Sequence, residues 1–276
     1  MRFIDSGTII EVVSKKVSEI NFLIDLNILN FFKKAKVEST EKDFLNILIE
    51  NSKIADNKKI ALCQDTGIVI VFAKIGIEVK LEKNLEELIN LAVKKGYQDS
   101  FLRKSVVQDP LERINTGDNT PAIVYVELVD GDVFELQVMA KGGGSENASA
   151  LWMLDPADGE QGIIEKVVAR IKEKGANCCP PLLLGIGIGG DMEKSAVLAK
   201  KALFRKIGER NSIQRYASLE KKILAEVNSL GIGVGGFGGK LTAMDVFIEI
   251  APCHIASMPV ALNVGCHSTR HCVVKL

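Results

Sequence analysis

The sequence predicts an α+β fold, with mixed, largely antiparallel sheets flanked by helices and a helical N-terminal segment. Three observations predict it: helical apolar periodicity over the first sixty residues, short β-branched runs broken by glycine after them, and the absence of any repeat or low-complexity linker. Residues 1–276 are therefore expected to form a single unit.

The elements follow in order. Ile10, Val13, Val17 and Ile20, then Phe44, Leu45, Ile47 and Leu48, recur at three- and four-residue spacings, which places helices there. Between Ile60 and Val79 the run IVIVFAKIGIEV, punctuated by Gly67 and Gly76, reads as strand, so the motif CQDTG stands at a strand entrance. Leu85, Leu88, Ile89 and Ala92 form the stripe of a helix from about Leu85 to Gly96. From Pro121 to Met139 two β-rich arms flank Asp130-Gly131 and predict a hairpin that delivers the chain into KGGGSEN. Helical patterns follow at Gln161–Lys174, Glu193–Ile207 and Ser218–Leu230, separated by LLLGIGIGG and GIGVGGFGGK, and strand-like segments close the chain.

Composition narrows the function. Basic and acidic residues balance at 35 each with no long single-sign run, which argues against a nucleic acid or an anionic membrane as partner. The opening MRFIDSGTIIEVV lacks the order of a secretory signal, and no stretch reaches the roughly 20 apolar residues that span a bilayer, so a cytoplasmic protein is expected. Six irregularly spaced cysteines do not make a disulfide scaffold in a chain of this size, which shifts weight toward metal or cluster ligation.

Those cysteines show neither the C-x2-C spacing of a zinc knuckle nor a redox C-x-x-C, so a shared site would have to be assembled by the fold. Cys63 precedes Thr66-Gly67, Cys179 precedes Pro180-Pro181 and Cys266 follows Gly265, all backbone-constraining settings, although a free cysteine also serves as a small buried hydrophobe. KGGGS, at Lys141–Ser145, lets backbone amides approach an anion such as a carboxylate, or is a plain turn; it matches neither G-x-G-x-x-G nor the P-loop. Gly185, Gly187, Gly189 and Gly190 resemble a dinucleotide loop only weakly, because no acidic residue ends a second strand about 20 residues on. Tight strand-helix packing explains them better. The three histidines, His254, His267 and His271, all lie near the carboxyl end beside Cys253, Cys266 and Cys272. By themselves these residues indicate a cysteine-ligated cofactor and an anionic small molecule.

Taken together, CQDTG, LRKSVVQDPLERINTGDNTPA, AKGGGSEN, NCCPP with GIGIGG, and GGFGGK followed by PCHIASMPVALNVGCHSTR resemble the class I fumarate hydratase and tartrate dehydratase family, in that family's order from about Leu62 to Arg270. The resemblance implies a 4Fe-4S cluster held by Cys63, Cys179 and Cys266, Cys179 being chosen over Cys178 because the family's ligand stands directly before the paired prolines. It implies Asp65 and His254 as catalytic groups, His254 standing twelve residues before Cys266, and Gln64, Arg103, Lys141, Gly143 and Gly144 as substrate contacts. It further implies an alpha subunit that requires a separate beta subunit in an oligomer of both chains, acting on a small dicarboxylate. Fumarate to (S)-malate is the first expectation and L-tartrate the alternative; a non-catalytic iron-sulfur protein is the more distant one. Three thiolates rather than four leave one iron open, reactive and oxygen-sensitive.

Overall fold

All residues from 1 to 276 are described by the structure, a computed structural model. Its contacts gather into two compact units interleaved along the chain: Met1–Asp25, Asn51–Gly143 and Arg270–Leu276 form the first, and Leu26–Glu50 with Gly144–Thr269 the second. No linker in the sequence marks this division. The helical opening is present as α1 (Ser6–Phe22), α2 (Leu26–Lys34) and α3 (Ser39–Lys58). None of the helices is long and apolar enough to cross a membrane.

In the first unit, β1 (Arg2–Ile4) pairs in parallel with β3 (Val79–Leu81). The main sheet runs in the order β10-β5-β2-β4, built from β2 (Ile68–Gly76), β4 (Ile123–Val129), β5 (Phe134–Lys141) and β10 (Arg270–Lys275). Only the β2–β4 pair is parallel. Alternate β2 residues Val69, Val71, Ala73 and Ile75 pack with Leu136, Val138 and Ala140 against Ile9, Val13 and Val17 of α1 and Leu88, Ile89 and Val93 of α4 (Leu85–Asp99). Asn84 caps α4 by accepting from the Glu86 amide at 2.8 Å, and Glu86 and Glu87 in its first turn suit the positive end of the helix dipole.

The hairpin expected over 121–139 is corrected here. β4 and β5 reverse through Asp130-Gly131, but they do not pair with each other, because β2 lies between them. β2 is buried along nearly its whole length and so takes the interior position, bonded on both sides. The amides of Gly76, Ile77 and Glu78 donate to the Val133, Val129 and Gly131 carbonyls, which wraps the turn around the end of β2.

The second unit has a sheet ordered β6-β9-β7-β8, from β6 (Ala150–Leu154), β7 (Leu182–Gly190), β8 (Ala243–Cys253) and β9 (Met258–Gly265), again with one parallel pair, β7–β8. One-turn α5 (Gly143–Glu146) precedes β6, and α6 (Gly159–Lys174), α7 (Met192–Ala202) and α8 (Gln214–Ser229) flank the sheet. LLLGIGIGG is a single strand with two faces. Leu182, Leu184, Ile186 and Ile188 pack on Ile163, Val167 and Ile171 of α6 and Leu219, Ile223 and Val227 of α8. Gly185 and Gly187 face α7, where a Cβ would lie 2.1 Å from the Ala199 carbonyl and 2.0 Å from that of Ser195. These glycines thus serve close helix-strand approach. The N-terminus of α7 is occupied by its own cap, the Asp191 carboxylate accepting from the Lys194 amide at 2.8 Å.

The helix expected over 193–207 stops at Ala202. The segment beyond it is drawn onto α8 and β8 by ion pairs to buried carboxylates, Arg205 to Glu220 of α8 at 2.8 Å and Arg210 to Asp245 of β8 at 2.6 Å.

Candidate active site

The CQDTG loop of the first unit is held from several directions. Leu62, just before Cys63, donates its amide to the Asn21 carbonyl at 2.7 Å and accepts the Asn51 side chain at 2.9 Å. The buried Tyr97 hydroxyl donates to the Thr66 carbonyl at 2.7 Å, and Asn119 donates to that of Gly67 at 3.1 Å. Burial pushes the Tyr97 phenol up to about 12. Gly67 is required at its place: its φ is 76°, and a Cβ there would stand 2.6 Å from the Lys141 backbone.

Asp65 ties this loop to the glycine turn. Its Oδ1 accepts from the Gly67 amide at 3.1 Å and its Oδ2 from the Gly143 amide at 2.7 Å. Beneath it Arg270, only 3% exposed, donates Nη2 to the Asp65 carbonyl at 2.6 Å and Nη1 to the Asn21 side chain at 2.9 Å. Its Nε is buried without a partner. Lys141 is buried at the end of β5, Gln64 is exposed, and Cys63 is half-buried. Arg103 is exposed; its carbonyl accepts from the Thr66 hydroxyl at 2.5 Å, while its guanidinium is in no ion pair.

In the second unit, β7 and β9 are antiparallel with Leu183 opposite Gly265, so the loops before β7 and after β9 meet at one end of the sheet. Cys179 is exposed in the left-handed conformation, φ 53°, ahead of the cis Pro180-Pro181 bond. Its carbonyl accepts both the His267 amide at 3.2 Å and a hydrogen bond with His267 Nδ1 at 3.0 Å, which fastens it to the Cys266 loop. Cys266 is half-buried, with its sulfur 3.3 Å from the Ser268 hydroxyl. Cys178 points the other way, buried, its thiol 3.1 Å from the Lys174 carbonyl. Gly144 is exposed, and Glu146, two residues on, is anchored by Lys200 at 2.5 Å and Asn263 at 3.0 Å.

Several sequence-derived site residues are thus brought together within their units: Cys63, Gln64, Asp65 and Gly143 in the first, Cys179 and Cys266 in the second. Within each unit no three His, Cys, Asp or Glu side chains form a metal site; the three motif cysteines are divided between the units as one and two. His254 is not brought to the cysteines of its unit. It lies in the turn before β9, its Nδ1 accepting from the Ala256 amide at 3.1 Å, whereas Cys266 follows the other end of that strand. Eight residues of strand separate those ends by roughly 25 Å at about 3.3 Å per residue. Sequence proximity to Cys266 is not spatial proximity here.

Arg270, Asn21, Tyr97 and Asn119, none of them singled out from the sequence, support the Cys63 loop. Arg270, last residue of the VGCHSTR block, and Asn119, within LRKSVVQDPLERINTGDNTPA, carried a signal that could have found them.

The family described as fumarate hydratase (Fumerase) matches residues 10–275. A Methanocaldococcus jannaschii protein provisionally named L(+)-tartrate dehydratase subunit alpha is 44% identical over 278 aligned positions, covering 96% of this chain and 96% of that one. The L(+)-tartrate dehydratase subunit alpha of Escherichia coli K12 is 33% identical over 242 positions, covering 86% of this chain and 80% of its own, and that of Escherichia coli O157:H7 is equally similar.

Proposed function

The chain belongs to the fumarate hydratase family of hydro-lyases, and we propose that it is the cluster-binding alpha subunit of an L(+)-tartrate dehydratase that acts with a separate beta subunit. The observation carrying this reading is the 44% identity to an alpha-subunit relative across nearly the whole of both chains. The motifs alone put fumarate first and tartrate second; the names of the relatives favour the reverse. Fumarate hydration is the second reading, favoured by the description of the matching family.

The donor set suits a 4Fe-4S cluster held by three cysteines. Cys63, Cys179 and Cys266 are free thiols, none of them fully buried, on loops whose backbones are tied down, while Cys178 is turned into the interior. Such a cluster supplies, when bound, a Lewis-acidic iron that makes hydroxide a better leaving group and spreads charge from the adjacent carboxylate.

The chain's own residues then have separable tasks. Arg103, exposed and without an ion-pair partner, can meet a substrate carboxylate through two parallel charge-assisted hydrogen bonds, fixing which faces the proton and hydroxyl leave from. Gln64 and the backbone at Gly143 and Gly144 add polar contacts, and Lys141 places a positive charge beside the turn. Asp65 positions the glycine turn against the Cys63 loop through its two accepted amide bonds, and each oxygen retains a lone pair with which to exchange a proton. His254 has no part in this reading.

The test is anaerobic co-expression with the beta subunit, reconstitution of the cluster, and kcat/KM on L(+)-tartrate, fumarate and (S)-malate, with electron paramagnetic resonance on the same sample. Preference for tartrate and conversion to a 3Fe-4S signal on mild oxidation are expected. Turnover of fumarate but not tartrate reverses the substrate order; a loaded complex inactive on all three overturns the reading.

A further inference from the structure

Between Leu102 and Thr120 the chain is shaped by short-range turns and fastened by two long-range side chains. Asp109, Asn115 and Asp118 accept from amides two or three residues ahead, bonds that curl the segment on itself. Thr66 and Asn119 reach much further. The hydroxyl of Thr66, a residue 1% exposed, donates to the Arg103 carbonyl at 2.5 Å, across 37 residues. Asn119 is fully buried and uses both ends of its carboxamide: Oδ1 accepts from the Ser105 amide at 2.6 Å, and Nδ2 donates to the Gly67 carbonyl at 3.1 Å, 52 residues away. One partner is a donor and the other an acceptor, so the carboxamide has a single orientation that an aspartate could not reproduce. Its φ of 65° lies in the left-handed region, which asparagine enters more readily than most side chains.

We propose that Thr66 and Asn119 are positioning residues for the substrate: they hold the backbone on both sides of Lys104 against the two residues that follow Asp65, and so set where Arg103 stands relative to Asp65. Arg103 enters here as the carboxylate clamp of the proposed function, on which this inference rests. Its side chain is exposed, so only a fixed backbone can aim it. That backbone is held residue by residue. The Leu102 amide donates to the Tyr97 carbonyl at 3.0 Å, the Lys104 carbonyl accepts from Asn115 at 3.0 Å, and Thr66 and Asn119 secure Arg103 and Ser105. The Asp65 side has an anchor of its own, because the Tyr97 hydroxyl donates to the Thr66 and Gly67 carbonyls at 2.7 and 3.1 Å. Losing the Asn119 or Thr66 fastening therefore frees the arginine segment while the Cys63 loop stays in place. An error of about 1 Å in placing a reacting group can cost about 100-fold in rate. Both residues are too buried to touch the substrate themselves.

Steady-state kinetics of the reconstituted complex with the beta subunit test this, with electron paramagnetic resonance on each sample. The probe is whichever of L(+)-tartrate and fumarate the wild type turns over, so the order of those substrates does not bear on the outcome. Asn119→Gly keeps the left-handed backbone and removes both bonds; Thr66→Val removes the hydroxyl at nearly constant shape. Each should raise KM about tenfold, the equivalent of one lost hydrogen bond, with kcat changed less and the cluster signal intact. Arg103→Ala alone should raise KM further, and adding either substitution to it should have no additional effect, whereas a residue that only stabilises the fold adds its own loss in both backgrounds. Additive effects in the double variants, or single variants that lose the cluster with KM unchanged, overturn the proposal. An Arg103→Ala enzyme with unchanged KM overturns the reading of Arg103, and this inference with it. Where Asn119→Gly does not fold, Thr66→Val decides alone.

Discussion

Replacing Asp65 with asparagine separates a carboxylate that holds the site together from one that only moves protons. In the native loop the two carboxylate oxygens accept from the Gly67 amide at 3.1 Å and the Gly143 amide at 2.7 Å. An amide side chain offers oxygen to one of them and must turn its NH2 toward the other, so one backbone donor loses its acceptor whichever way it is flipped. A buried unsatisfied donor costs about 1–3 kcal/mol. Gly67 is buried and Gly143 exposed, so the amide keeps its oxygen on Gly67 and water relieves Gly143, which leaves a cost at the low end, about 1 kcal/mol. At about 2–4 °C per kcal/mol for a chain of this size class, Asp65→Asn should lower the melting temperature by about 2–4 °C. Circular dichroism of the cluster-free chain reads that shift, and electron paramagnetic resonance reads a faster loss of cluster from the loaded one. If melting temperature and cluster retention are both unchanged while kcat falls, the positioning role is wrong and Asp65 acts through its proton alone.

Arg270→Met removes two hydrogen bonds from a buried charged donor, each worth about 1.5–3 kcal/mol, so a loss of about 3 kcal/mol in urea unfolding is expected, with partial recovery in Arg270→Lys. Gly187→Ala forces a Cβ to within 2.0 Å of a helix carbonyl and should cost at least about 1–3 kcal/mol, whereas Gly144→Ala, which meets open space, should leave stability unchanged; thermal melts compare them. Iron bound after reconstitution should fall in Cys179→Ser and persist in Cys178→Ser, and equal losses in both would undo the choice of ligand. The Tyr97 phenol, pushed up to about 12 by burial, favours the fold while protonated; that stability is complete below about pH 10 and is lost as pH rises toward 12. Tyr97→Phe should therefore show a shallower fall in urea midpoint between those limits, and identical slopes would contradict it.

Periodicity is a local property, which is why the helices and several strands were legible along the chain: Leu85, Leu88, Ile89 and Ala92 mark α4, and the β-branched run IVIVFAKIGIEV marks β2. The end of α7 was not. Lys200 to Lys206 continues a helical pattern, but Arg205 and Arg210 gain buried carboxylate partners on β8 and α8 by leaving it. In the site, Cys179 before its prolines and the Lys141–Ser145 turn could be picked out because a few adjacent residues define them. His254 could not be placed, since its separation from Cys266 depends on an intervening extended strand rather than a return of the chain.

By itself the sequence determined the fold class and the family, and it nominated candidate ligands and contacts, because each rests on short-range pattern and on ordered motifs. Only the tertiary structure decided that β2 separates β4 from β5, that two interleaved units share the chain, that Asp65 is bound to two amides, and that Arg270 lies buried beneath it. Turn chemistry says where a chain reverses, not what lies between its arms, and a buried guanidinium acquires its partners only when segments 205 and 249 residues apart pack together.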